Sequence, residues 1–143
     1  MKLSNLFKPT LPIAALRMMT GVVFFLHAAA RIVQNSFSDF GNFLDSKGFI
    51  FGIYLAYTIT AFELIGGVAM FLRYFVKWFC IGETIILVTG IFLVHLQNGW
   101  FVVGMSLGGV EYSVVLITIL AAIFIAESKA GMTAKNIDDQ RES

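Results

Sequence analysis

The chain has 143 residues, 58% of them hydrophobic and only 13% charged, with a net charge of +1 and a mean hydropathy of +0.84. A soluble domain carries about 25% charged residues, so this composition excludes a disordered chain, a basic nucleic-acid binder and a typical cytosolic enzyme. Its single cysteine, Cys80, excludes an internal disulfide and dithiol chemistry carried by this chain alone. The chain reads as an integral membrane protein whose first partner is the lipid bilayer.

About 20 mostly apolar residues are needed to cross a hydrocarbon core as a helix. Four windows satisfy this: 12–30, 51–72, 78–96 and 110–126. The expected fold is an all-α, antiparallel bundle of four transmembrane helices forming one membrane domain, 1–126. The first window follows Lys2 and Lys8 and ends in Ala28-Ala29-Ala30, features shared with a cleaved signal peptide. Arg17 interrupts the apolar region such a peptide needs, so the segment is read as a retained span.

Between the first two spans, Phe37, Phe40, Phe43 and Leu44 recur at helical spacing opposite Asp39, Asn42 and Asp45. This pattern predicts a short helix lying in the membrane interface. The connection 97–109 contains Trp100-Phe101-Val102-Val103, too short to span the membrane and too apolar for water. It dips into the interface, caps the bundle, or packs as an apolar loop on the helix ends. Residues 127–143 are polar and aperiodic and read as a cytoplasmic tail.

Lys and Arg set the orientation. One side carries Lys2, Lys8, Arg73, Lys77, Lys129, Lys135 and Arg141, the other only Arg31 and Lys47. The positive-inside rule then places both termini in the cytoplasm, and the expected location is a bacterial inner membrane.

The informative residues are the ionisable ones inside the spans, because a charge in hydrocarbon needs a partner or a function. Arg17, His27 and Arg31 fall within about 80° on the first span, a single stripe expected to face the bundle interior. Arg17 and Glu83 lie about 6–8 Å from the cytoplasmic end of their spans and Glu63 about 14 Å in. His27, Arg31, His95 and Glu111 form a layer near the outer face. Three assignments compete. In the first, Arg17–Glu63 and Arg31–Glu111 are structural pairs, with Glu83 a second carboxylate in reach of Arg17. In the second, the outer layer binds a quinone ring or a small sulfur compound. There His27 and His95 would handle protons as catalytic groups, and Arg31, Glu111 and Tyr112 would bind. In the third and less favoured, His27 and His95 ligate a haem b. Two histidines and a distant carboxylate lack metal-ligand spacing, so no metal site and no intrinsic cofactor are expected.

The motifs Arg17-x3-Gly21-x5-His27-x3-Arg31, Glu63-x2-Gly66-Gly67, His95-x3-Gly99-x-Phe101 and Gly108-Gly109-x-Glu111-Tyr112 resemble, in order and spacing, the DoxX family of small bacterial four-helix membrane proteins. The resemblance covers about residues 12–126. Ala28 stands where the family usually has Gly, Arg31 where it has Lys and Ser113 where it has Pro, and Glu83 belongs to none of its motifs. The resemblance implies a subunit of a membrane redox assembly, since relatives include a thiosulfate:quinone oxidoreductase subunit and partners of superoxide dismutase and a sulfurtransferase. More distant relatives resemble membrane chaperones or cargo receptors, which leaves a noncatalytic scaffold subunit as the alternative. By resemblance, Arg17, His27, Glu63, His95 and Glu111 are the residues of interest. Any redox chemistry would borrow its electron carrier from a partner subunit, and no nucleic-acid partner is expected.

Overall fold

A computed structural model describes residues 10–102 and 108–142, with side chains from 133 to 139 and at 141 and 142 left aside. Lys2, Lys8 and Val103 lie outside the described residues, as do the side chains of Lys135 and Arg141. Five helices follow in chain order: α1 (Leu11–Val33), α2 (Phe37–Ser46), α3 (Gly52–Phe71), α4 (Val76–Gly90) and α5 (Glu111–Glu142). A π-helical turn, Ile91–His95, and a 3-10 turn, Leu96–Asn98, extend α4. Pro12 sits in the first turn of α1, where its missing N–H costs nothing. Among the described residues, four segments are long and apolar enough to cross a membrane: Leu11–Val33, Gly52–Phe71, Val76–Asn98 and Glu111–Met132. The chain is a multi-pass, all-helical membrane protein, with α2 as the short helix expected between the first two spans.

The polar end departs from expectation. Helix α5 does not stop near Ala126 but runs to Glu142. Glu127, counted in the tail, is nearly buried against Arg17 and Arg73. Arg73 holds it with both Nε and a terminal nitrogen, at 2.9–3.1 Å. That ion pair offsets the strain of Arg73, which has a left-handed φ of 66° in the tight turn between α3 and α4.

Helix α1 packs most extensively on α3, and two glycines permit it. A Cβ at Gly67 would lie 2.5 Å from the Gly21 carbonyl oxygen, and one at Gly21 would lie 2.6 Å from that of Gly67. In lipid, where apolar surfaces have no net drive to associate, such backbone approach is a main source of helix–helix affinity. Between α3 and α4 the close contacts are Phe62 with Phe79, centroids 5.0 Å apart, and the same rings over Gly82 and Gly66.

Packing is uneven along the bundle. The apolar core, formed by Phe24, Met70, Val76, Cys80, Leu116, Leu120 and Ile123, fills the half nearest the 72–75 turn, called here the tail end. The opposite half, called the α2 end, is hollow. There α2 lies over the helix ends, with Phe37 stacked on Tyr57 at 4.5 Å and Asp45 accepting the Gly52 N–H at 2.7 Å. Gly41 packs directly on Ile53.

The Gly21–Gly67 contact yields a paired test. Gly67→Ala should lower thermal stability in detergent by about 1–3 kcal/mol, the cost of overpacking a closed contact. Gly131→Ala on α5, where a Cβ would meet nothing within 4 Å, should be neutral or stabilise by up to about 1 kcal/mol. Unfolding midpoints measured side by side would check both signs.

Candidate functional site

The hollow half contains a cavity of about 490 Å³, within the range that holds a small ligand. His27 and Arg31 from α1, Glu63 from α3, His95 from the π-helical turn of α4 and Tyr112 from α5 line it. Phe40, Phe43 and Leu44 of α2 form its roof, and Phe24, Leu87 and Leu116 border it toward the core. The walls are overwhelmingly apolar, with a few polar side chains converging from four helices.

The central polar contact is an ion pair. Arg31 donates through one terminal nitrogen to Glu63 Oε2 at 2.9 Å and to Thr60 Oγ1 at 2.7 Å. Its guanidinium also lies over the Phe40 ring, 4.5 Å from the centroid. Thr60 passes its own proton to the Ala56 carbonyl at 2.7 Å, so it can only accept from Arg31. Among the described residues, the other nitrogens of Arg31 and Oε1 of Glu63 make no hydrogen bond, which leaves donors and an acceptor on two cavity-lining groups.

Both expected charge pairs are corrected. Arg31 pairs with Glu63 rather than Glu111, and Arg17 pairs with Glu127 rather than Glu63. The reason is the direction of helical side chains, which lean toward the N-terminus of their own helix. In the antiparallel pair α1 and α3, Arg31 and Glu63 therefore lean toward each other. Arg17 and Glu63 lean apart. Fully buried Arg17 instead reaches the last carbonyls of α3, Met70 and Phe71 (2.9 Å to the latter), a favourable end for a cation. Its Nε is 3.7 Å from Glu127.

Glu83 also departs from its expected place. It is fully buried, and neither of its oxygens has a hydrogen-bond partner among the described residues. Its neighbour Gly82 packs on Phe62, so Glu83 is level with Glu63, not with Arg17. Glu111 lines no part of the cavity; its Oε1 accepts the Val102 N–H at 2.8 Å. With the Gly109 N–H on the Phe101 carbonyl and the Glu111 N–H on that of Trp100, this folds the 99–102 segment back on α5. Val102 reaches the cavity, so among the described residues the connection caps the bundle.

The two histidines differ. His95 Nδ1 is 2.6 Å from the Gly108 carbonyl oxygen. A carbonyl only accepts, so Nδ1 carries a proton and Nε2 is left as an acceptor in the neutral ring or a donor in the charged one. His27 has no hydrogen bond among the described residues, and although it lines the cavity it is also exposed. The expectation that the whole α1 stripe faces inward therefore fails at His27, which sits on the cavity's rim. The spacing of Phe40, Phe43 and Leu44 predicts an interfacial face, and the structure brings that face over the site. No group of three or more potential metal-ligating side chains occurs among the described residues.

A family model described as DoxX matches residues 13–96, more than half of the chain. No curated protein matches it, and no solved structure does.

The ion pair can be weighed by a double-mutant cycle. Arg31→Met leaves Glu63 buried without its cation and should cost about 3–5 kcal/mol. Arg31→Met with Glu63→Leu should recover most of that loss, because both desolvation penalties disappear. Thermal unfolding of the four proteins gives the coupling energy; additive losses would contradict the assigned pair.

Proposed function

The chain belongs to the DoxX family of membrane proteins, and from that premise we propose that it is an inner-membrane subunit of a redox assembly, quinone- or small-sulfur-compound-linked, whose cavity binds a quinone-type ring. The carrying observation is the donor and acceptor set inside an apolar chamber. Arg31 has nitrogens to spare for a ring oxygen, Glu63 keeps Oε1, and His95 has its Nδ1 proton fixed on Gly108 so that Nε2 is the nitrogen left for a ligand. An apolar, ring-shaped molecule with two carbonyl oxygens matches that set. Reduction of the ring takes two electrons and two protons. With one cysteine and no dithiol, the electrons come from a partner subunit. His95, through Nε2, and His27 at the rim supply the protons. The Lys and Arg distribution supports cytoplasmic termini, which puts the cavity near the outer face.

A haem b between His27 and His95 fits less well. A ligating histidine normally donates its other ring N–H to a fixed acceptor; His95 does so, but His27 has no such partner among the described residues. The scaffold alternative makes the charged pairs purely structural and predicts no ring binding.

Two measurements test the proposal. Gentle-detergent purification from native membranes, followed by mass spectrometry, should recover a dehydrogenase, cytochrome or sulfur enzyme in stoichiometric amount. A large partner without a redox cofactor would support the scaffold instead. His95→Asn keeps an amide nitrogen near Nδ1, so the Gly108 contact survives, but removes Nε2. It should leave the unfolding midpoint unchanged while weakening binding of a benzoquinone by about 3- to 10-fold, the worth of one hydrogen bond. Equal affinity for wild type and His95→Asn would remove His95 from the site.

A further inference from the structure

The way a ligand reaches the cavity is constrained by what closes it. On the α2 end, the roof is tied down. Asp45 binds the Gly52 N–H at 2.7 Å, Phe37 stacks on Tyr57, and Gly41 sits against Ile53 with no room for a Cβ. The 99–102 segment is held by Glu111 and its backbone bonds, and His95 binds the Gly108 carbonyl. Toward the tail end, the packed core closes the bundle. Among the described residues, what remains open faces sideways, into lipid.

Two flanks qualify. On the α1–α5 flank, the lining residues that reach the surface are His27 and Tyr112, the latter 51% exposed. On the α3–α4 flank, the lining residue at the surface is Ile85, 61% exposed, with Leu55 and Ile59 of α3 also lining the cavity. The aromatic and glycine contacts that join α3 to α4, Phe62 with Phe79 and Gly82, and Gly66 with Phe79, all lie tailward of these residues. One flank thus has an imidazole and a phenol at its rim, and the other is aliphatic apart from the Thr89 hydroxyl one turn from Ile85. A polar rim suits a head group in passage poorly matched to hydrocarbon, whereas an aliphatic rim suits a hydrocarbon chain that stays.

Resting on the ring-binding proposal, we infer that the cavity is loaded from within the bilayer and that its ligand is an amphiphile with one apolar tail. The ring sits among Arg31, Glu63 and His95 while the tail leaves between α3 and α4, past Ile59 and Ile85. The chamber then holds the polar head, and the affinity for the tail is contributed outside it.

The test uses the full-length protein in phosphatidylcholine nanodiscs and two probes: a dimethoxy-methyl-benzoquinone without a tail and the same ring carrying a decyl chain. Ile85→Trp should weaken the decylated probe by about 10-fold or more and leave the tailless one nearly unchanged. Val88→Trp, at an exposed α4 position outside the cavity, should alter neither. Equal weakening of both probes by Ile85→Trp, no effect on either, or the same effect from Val88→Trp would overturn the route. Failure of the wild type to bind either ring would instead overturn the ring-binding proposal, and this inference with it. A variant-free measurement guards against misfolding: a ring probe with a diazirine at the tail's end should label α3 around Ile59 or α4 around Ile85. Labelling around His27 and Tyr112, or a phospholipid chain in the gap that the probe does not displace, would overturn the inference.

Discussion

The Arg31–Glu63 ion pair is the constraint on which the rest of this bundle depends. Two charges at this depth cannot be left in hydrocarbon, so α1 and α3 must be held close enough for Arg31 to reach across at 2.9 Å. The Gly21–Gly67 contact provides that closeness. The antiparallel arrangement then points the two side chains at each other, because each leans toward the start of its own helix. Thr60 and the Phe40 ring complete the guanidinium's surroundings, so the pair ties α1, α3 and the roof helix α2 into one unit.

A second charged cluster performs the complementary task at the other end. Arg17 caps the last carbonyls of α3, Arg73 closes the α3–α4 turn, and Glu127 joins both to α5. With this end clamped and filled by apolar side chains, the α2 end can be hollow without the helices collapsing. Rigidity at one end and a chamber at the other suit the proposed placement of the ring. Glu83, fully buried without a hydrogen-bond partner among the described residues, belongs to neither cluster.

Much of this was legible in the sequence. Run length and hydropathy identified four spans, and alternating phenylalanines and acids identified α2. The spacing of Arg17, His27, Glu63, His95 and Glu111 carried the family. Pairing was not legible, because depth along the helices suggested Arg17 with Glu63 and ignored which way long side chains lean. Glu127 was counted as tail because hydropathy falls there, although helical hydrogen bonding continues. His27 shared a helical arc with Arg17 and Arg31, but a calculated arc of 80° spans both an inward face and its edge. The cavity itself required the structure, since it is bounded by α2 folding over helix ends and by the 99–102 segment, which the Glu111 carboxylate and backbone bonds from Gly109 and Glu111 hold in place.

The most direct test of the central claim is the infrared difference spectrum of a carbonyl-labelled benzoquinone bound to the protein in nanodiscs. The account predicts that the labelled carbonyl stretch falls below its frequency in protein-free lipid, because Arg31 donates to that oxygen. The shift should vanish when Arg31 and Glu63 are replaced together by Met and Leu. A carbonyl band in the wild type at the frequency of the ring free in lipid would contradict it.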